Sequence, residues 1–280
     1  MAAHDDTAGR QDNIWLLLLI TPAIVVFLAF WLLPIGKLIV LGGSGEHGLA
    51  TYFDVLVNSR YLTVLLITAA LAAGVTVVTL LISIVSGVFL ARSDFFGRSV
   101  LVAILTLPLA FPGVVIGFMV IMLGGRQGLI GSLTNWATGN RLVFAYTFTG
   151  LFVGYVYFSI PRVILTVMAS AEKLDVGLEE AAKSLGASEW RVFSDVVIPG
   201  LMPALMSSGA ICFATAMGAF GTAFTLNVGI PVLPMLIYTE FTLNANIAVA
   251  AALSVILGLM TWLVLAGARS FAGNTVAAAA

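Results

Sequence analysis

The residues able to do chemistry gather in one place. Glu179 to Pro199 reads Glu-Glu-Ala-Ala-Lys-Ser-Leu-Gly-Ala-Ser-Glu-Trp-Arg-Val-Phe-Ser-Asp-Val-Val-Ile-Pro, the one long charged segment of an otherwise apolar chain. Its acids and bases are groups that form ion pairs and hydrogen bonds with a soluble partner, and their spacing builds no catalytic constellation. Elsewhere there is no Gly-x-x-x-x-Gly-Lys-Ser/Thr phosphate loop, no His-Glu-x-x-His and no Gly-x-Ser-x-Gly. The chain therefore has no P-loop cradle for a nucleotide, no zinc pair and no nucleophile elbow. Its sequence offers recognition rather than catalysis, with no catalytic residue and no cofactor of its own.

The elements that must hold these groups follow from periodicity. Leu178, Ala181, Ala182 and Leu185 recur at i, i+3, i+4 and i+7, which predicts a short helix with a small apolar face and Glu179, Glu180 and Lys183 around it. Gly186, just past the last periodic residue, is suited to the left-handed conformation that ends a helix. Ser188 is a good N-cap for a second short helix from Glu189 to Val196, and Pro199 and Pro203 open the next apolar run. The pattern predicts helix, sharp turn, helix, then re-entry into an apolar environment.

Composition says what that environment is. Of 280 residues 61% are hydrophobic and 9% charged, whereas a soluble domain carries about a quarter charged residues. The chain is expected to be an integral membrane protein. A net charge of -1 and the absence of any Lys/Arg run exclude a nucleic-acid partner. The lone Cys212 allows no internal disulfide or multi-cysteine metal site, and neither His4 nor His47 has a partner pattern for a metal.

Apolar runs predict an all-α, polytopic fold: a six-helix membrane domain over residues 14–267, with a polar tail over 1–13 and an alanine-rich tail over 268–280, both expected to be disordered. The first run, from Ile14 to about Leu41, is too long for a signal-peptide core and lacks a small-x-small cleavage site, so it reads as a retained helix that Pro22 and Pro34 kink. A glycine-rich polar connection precedes the second span, Tyr61 to about Ala91, whose many small residues suit close helix packing. The third, Ser99 to about Leu123, is interrupted by Pro108, Pro112 and Gly113, and a polar loop follows over Gly124 to Arg141. The fourth runs from about Leu142 to Ser170, ahead of the charged loop 171–199. The fifth is placed at Leu201 to Leu226 and the sixth at Asn244 to Gly267. Between these two, the proline-broken Asn227 to Leu243 reads as a short re-entrant or interfacial piece.

Orientation follows from Lys and Arg near the span ends. With the N-terminus inside, the cytoplasmic set is Arg10, Arg92, Arg98, Lys173, Lys183, Arg191 and Arg269, and the outer set Lys37, Arg60, Arg126 and Arg141. The bias puts both termini and the charged loop in the cytoplasm. Ionisable groups inside spans are costly and mark candidates for function. Arg162, after Pro161 in the fourth span, is either a residue of a translocation path that meets an anionic or zwitterionic solute, or one that snorkels toward the cytoplasm or pairs with a neighbouring subunit. Glu240, expected to be a solvated carboxylate of the outer loop, is the alternative guide for a cation or contact for an outer partner. Asn227, Asn244 and Asn246 are either neutral path residues or helix caps. With no buried carboxylate expected along the spans, the pattern leans away from a polyamine.

Glu180-Ala181-Ala182, three residues, Gly186, nine residues, then Val196-x-Ile198-Pro199 closely resembles the EAA loop of the membrane subunits of bacterial binding-protein-dependent ABC importers, the MetI-like permeases. Val196 stands where isoleucine is common and Ile198 where leucine is. The resemblance extends over roughly residues 60 to 268. Within the family, Thr106-Leu-Pro-Leu-Ala-Phe-Pro-Gly-Val-Val and Gly218-Ala-Phe-Gly through Leu233-Pro-Met-Leu-Ile-Tyr look like the branch that imports polyamines, aminoalkyl phosphonates, ferric iron, sulfate or thiamine. It implies that Glu179, Glu180, Ala181, Ala182, Leu185 and Gly186 belong to coupling helices seated in a cleft of a cytoplasmic ATPase, so that ATP is bound by a partner chain. The implied assembly has two ATP-binding subunits, a second membrane subunit (a copy of this chain or a different one) and an extracytoplasmic solute-binding protein. It sits in the bacterial inner membrane and carries a small polar solute such as a polyamine, an aminoalkylphosphonate or an inorganic anion or metal. Two rivals stand beside this reading: an ion-gradient-driven secondary transporter, expected to carry repeats and intramembrane carboxylates, and a membrane anchor or assembly protein without transport.

Overall fold

The computed structural model describes residues 18–45, 47–226, 229 and 231–278. The predicted tail over 1–13 and Asn227 lie outside them. Among the described residues the chain is built of helices and connections, without a strand, as a backbone in lipid must be if it is to satisfy its own hydrogen bonds. Among the described residues six helical stretches are long and apolar enough to cross a membrane.

The first, α1 (Leu18–Gly42), lies on the outside of the bundle with Leu18, Leu19, Phe30 and Leu33 exposed. A short α2 (Ala50–Val57) leads into α3 (Ser59–Arg92), capped by the Asn58 side chain, which accepts from the Arg60 N–H at 3.0 Å. The next apolar run is broken where its prolines stand. Following α4 (Arg98–Thr106), a single 3-10 turn (Leu107–Ala110) leads to an extended Phe111 and Pro112, and α5 begins (Gly113–Gly124). Pro112 drives the residue before it out of the helical region. The expected polar loop over 124–141 contains a further helix, α6 (Leu129–Thr138), and the third crossing by length and composition is the pair α5 and α6, Gly113–Thr138. The fourth crossing is α7 (Phe148–Ala171), with Pro161 inside it.

Beyond α8 (Val176–Ser184) the expected second short helix is not separate. It is the opening stretch of a continuous α9 (Glu189–Met217), the fifth crossing. Pro199 has no N–H to give to Asp195, and a wide π turn over Phe193–Val197 absorbs the missing bond. The same device precedes Pro34 in α1, over Leu28–Leu32. The fifth crossing ends at Met217 rather than Leu226, because the chain breaks at Gly218 and restarts as α10 (Gly221–Leu226). Between it and the last crossing, the segment expected to be re-entrant or interfacial holds the short helix α11 (Leu233–Thr242), and α12 (Ile247–Ala278) continues as helix past residue 267, where a disordered tail was expected.

The core sits where α3 packs on α7 and α9, with Leu71, Val75, Leu151, Val163, Val167 and Leu201 buried. A second cluster, Val64, Leu65, Leu233, Leu236 and Leu253, seats α11 between α3 and α12. Close approach of α3 to α7 depends on Gly87, where a Cβ would come within 2.8 Å of Val167 Cγ1.

Candidate functional site

The charged loop projects from one end of the bundle between α7 and α9. Asp175 caps α8, its Oδ1 accepting from the Gly177 N–H at 2.8 Å. At the other end Gly186 has φ +85°, the left-handed region that glycine enters without steric cost. Ala187 N–H bonds to Ala182 O at 3.1 Å and Gly186 N–H to Lys183 O at 2.9 Å, the paired bonds of a Schellman stop. Ser188 then caps the start of α9 through its Oγ, which accepts from the Arg191 N–H at 3.4 Å. Lys183 Nζ donates to Glu189 Oε1 at 2.9 Å across the turn, and this hydrogen bond holds the lysine above its ordinary pKa. The angle between the two helices is set by backbone and side chain together.

Which face meets what is decided by Arg92, at the end of α3. Its guanidinium forms an ion pair with Glu179, and the two side chains are 25% and 18% exposed. Arg98 ties the root of the loop, its Nη2 lying 3.0 Å from Glu172 Oε1 while its Nε donates to Leu90 O at 2.7 Å. Glu179 therefore faces its own bundle. Glu180 and Ala181 are exposed and Ala182 is half-buried. The apolar stripe faces solvent: Leu178 is 60% exposed, Leu185 90% and, across the turn, Trp190 73%. Large apolar groups are thus left uncovered on a charged, braced helix pair, the arrangement of a candidate docking surface. Spacing alone identified α8 and Gly186; it did not identify Arg92, Arg98 or Trp190 as parts of the site.

The remaining candidates lie elsewhere. Arg162 is exposed on α7, and its Nη1 donates to Thr215 Oγ1 of α9 at 3.0 Å. Glu240 is at the end of the bundle opposite the loop, and the expectation of a solvated carboxylate is corrected: it is 2% exposed. Asn244 Nδ2 donates to its Oε2 at 3.0 Å, Tyr61 O–H to its Oε1 at 3.4 Å, and Arg60 Nη1 stands 3.8 Å from Oε1. A carboxylate can be buried here because α11 folds back against the start of α3, where Arg60 and Tyr61 meet it, while Asn244 just past α11 supplies the other donor. Asn246 is a cap, its Oδ1 accepting from the Val249 N–H at 3.2 Å. Beside this cluster an open cavity of about 710 Å³ is lined by Ser44, His47, Asp54, Asn58, Tyr61 and Asn244. His47 Nδ1 there lies 2.6 Å from Asp54 Oδ2.

A family model described as binding-protein-dependent transport system inner membrane component matches residues 83–271, which include the loop, α7 and α9. Over 195 residues the chain is 32% identical to the molybdenum transport system permease protein ModB of Escherichia coli (strain K12), covering 66% of this chain and 84% of ModB. Over 190 residues it is 32% identical to the sulfate transport system permease protein CysT of the same organism, covering 68% of this chain and 67% of CysT. In fold it is similar to a chain of a bacterial alginate ABC transporter crystallised with an alginate pentasaccharide-bound periplasmic protein. That match has a TM-score of 0.78 at 15% identity and covers 93% of this chain and 94% of that one.

Proposed function

The chain belongs to the family of binding-protein-dependent transport system inner membrane components, and from that premise we propose that it is the multi-pass inner-membrane permease subunit of an ATP-driven oxyanion importer. It works with ATP-binding subunits, an extracytoplasmic binding protein and a second membrane subunit, whether a copy or a different chain. The observation that carries the coupling role is the uncovered stripe of Leu178, Leu185 and Trp190 on a helix pair whose angle is fixed by Gly186. A surface of that kind needs a partner, and a rigid pair passes the partner's displacement on. Motion delivered to α8 has two routes into the bundle: along the chain into α9, and across the Glu179–Arg92 pair into α3.

For substrate, relatives named for molybdenum and sulfate transport support a small oxyanion, since molybdenum at neutral pH travels as molybdate. The buried acid that a gradient-driven carrier would use exists at Glu240, but Asn244, Tyr61 and Arg60 satisfy it. That favours a structural tie over a proton relay.

The test is co-purification of the tagged chain, expressed in its native host, with an ABC-type ATPase. The wild type is expected to retain the ATPase. Scrambling 180–186 should release it, and Gly186→Val should abolish ATP-driven uptake at normal membrane levels. Retention of the ATPase by the scrambled loop would overturn the coupling role.

A further inference from the structure

Arg162 is the described charged residue deepest in a span. It stands nine residues from Ala171 and fourteen from Phe148 in α7, which at the helical rise puts its Cα about 13 Å and about 21 Å from the two ends. A snorkelling arginine here would bend toward the nearer, loop-side end. This one does not. Its Nη1 donates to Thr215, two residues from the far end of α9 at Met217 and seventeen beyond Ile198. The direction matches the tilt of every helical side chain toward its own N-terminus. The guanidinium is thus held toward the membrane interior, and it is exposed.

A cation facing hydrocarbon costs several kcal/mol, so this face turns toward a water-filled path or another subunit. Among the described residues no carboxylate is paired with it. Thr215 occupies one of its five N–H donors. Four are left, enough for the two-pronged grip that guanidinium gives to carboxylate, sulfate or phosphate. Thr166, one turn along α7, and Ser207, two turns along α9 from Thr215, add hydroxyls to this face, with the exposed Ile211 between Ser207 and Thr215. The two helices involved are the ones that flank the coupling loop, so any displacement of that loop moves both halves of the site.

We propose that Arg162, oriented by Thr215, is the anion-binding group of the translocation path and grips a small tetrahedral oxyanion during passage. This rests on the oxyanion-importer reading and adds a site to it. The experiment uses the full transporter in proteoliposomes, with radiolabelled sulfate, molybdate and spermidine as probes. The wild type should take up at least one oxyanion. Arg162→Gln should lose uptake by roughly tenfold to a hundredfold, the range set by one charge-assisted bond, while ATP hydrolysis stimulated by the loaded binding protein persists. Arg162→Lys should fall between the two, and Thr215→Val should raise the KM for the anion more than it lowers kcat.

Uptake by Arg162→Gln within twofold of the wild type would overturn the site. So would failure of Arg162→Gln to assemble with the second membrane subunit, which would mark an inter-subunit ion pair. Wild-type uptake of spermidine and of neither oxyanion would instead overturn the oxyanion reading, and this site with it.

Discussion

Glu179 and Glu180 are adjacent acids with opposite duties. Glu180 is exposed, whereas Glu179 is drawn inward by Arg92, a partner 87 residues earlier in the chain. Periodicity placed both on one short helix but has no information about which side of that helix meets the bundle. That is fixed by the end of α3, and the sequence pattern shows Arg92 only as one more cation near a span end. Glu240 escaped for the same reason, since its burial depends on Tyr61 and Arg60 from a distant segment. Gly186 was legible because its role is local: a helix end that needs positive φ writes glycine at that position. The pair with Glu179 makes a definite prediction. Arg92→Ala strands a carboxylate that is mostly buried, so thermal unfolding in detergent should show a loss of about 1–2 kcal/mol, below the roughly 3–5 of a fully enclosed pair. Exchanging the charges, Arg92→Glu with Glu179→Arg, should restore most of it. Glu180→Gln should leave stability unchanged. Equal losses at both acids would contradict the division between them.

Where elements begin and end was set by hydrogen bonds more than by hydropathy. The number and order of the apolar runs were readable, since about 20 apolar residues are needed to cross a bilayer. Their internal breaks were not, because hydropathy is blind to which carbonyl a proline leaves unpaired. Before Pro199 the helix widens and carries on, so that the expected second rod becomes the opening stretch of α9. At Pro112 the chain leaves the helix altogether. In the proposed coupling role, loop movement therefore passes into α9 along an unbroken helical backbone. The other proposed route passes through the α3–α7 contact, where the missing Cβ at residue 87 lets the helices approach closely. Gly87→Val would press on Val167 and on the Ile164 carbonyl, and overpacking of that kind costs about 1–3 kcal/mol. The unfolding midpoint should fall, and adding Val167→Ala should recover much of the loss. A midpoint unmoved by Gly87→Val would mean that α3 and α7 are not held in this close contact.

At the scale of the whole molecule the two ends of the bundle differ in kind. The loop end carries Arg92, Arg98, Lys173, Lys183 and Arg191 together with the uncovered Leu185 and Trp190. The far end carries the satisfied Glu240 cluster and the polar cavity beside it. Excess Lys and Arg mark the cytoplasmic side, and an ATPase has nucleotide only there, so charge and proposed function demand the same orientation by independent routes. Ser188 is a position from which to check it, being exposed at the tip of the turn. The native Cys212 is 2% exposed and contributes little background. A cysteine at position 188 should react with a membrane-impermeant maleimide in inverted vesicles and resist it in intact cells. Rapid labelling in intact cells would put the helix pair on the side without ATP, and no arrangement of the bundle could then link it to nucleotide hydrolysis.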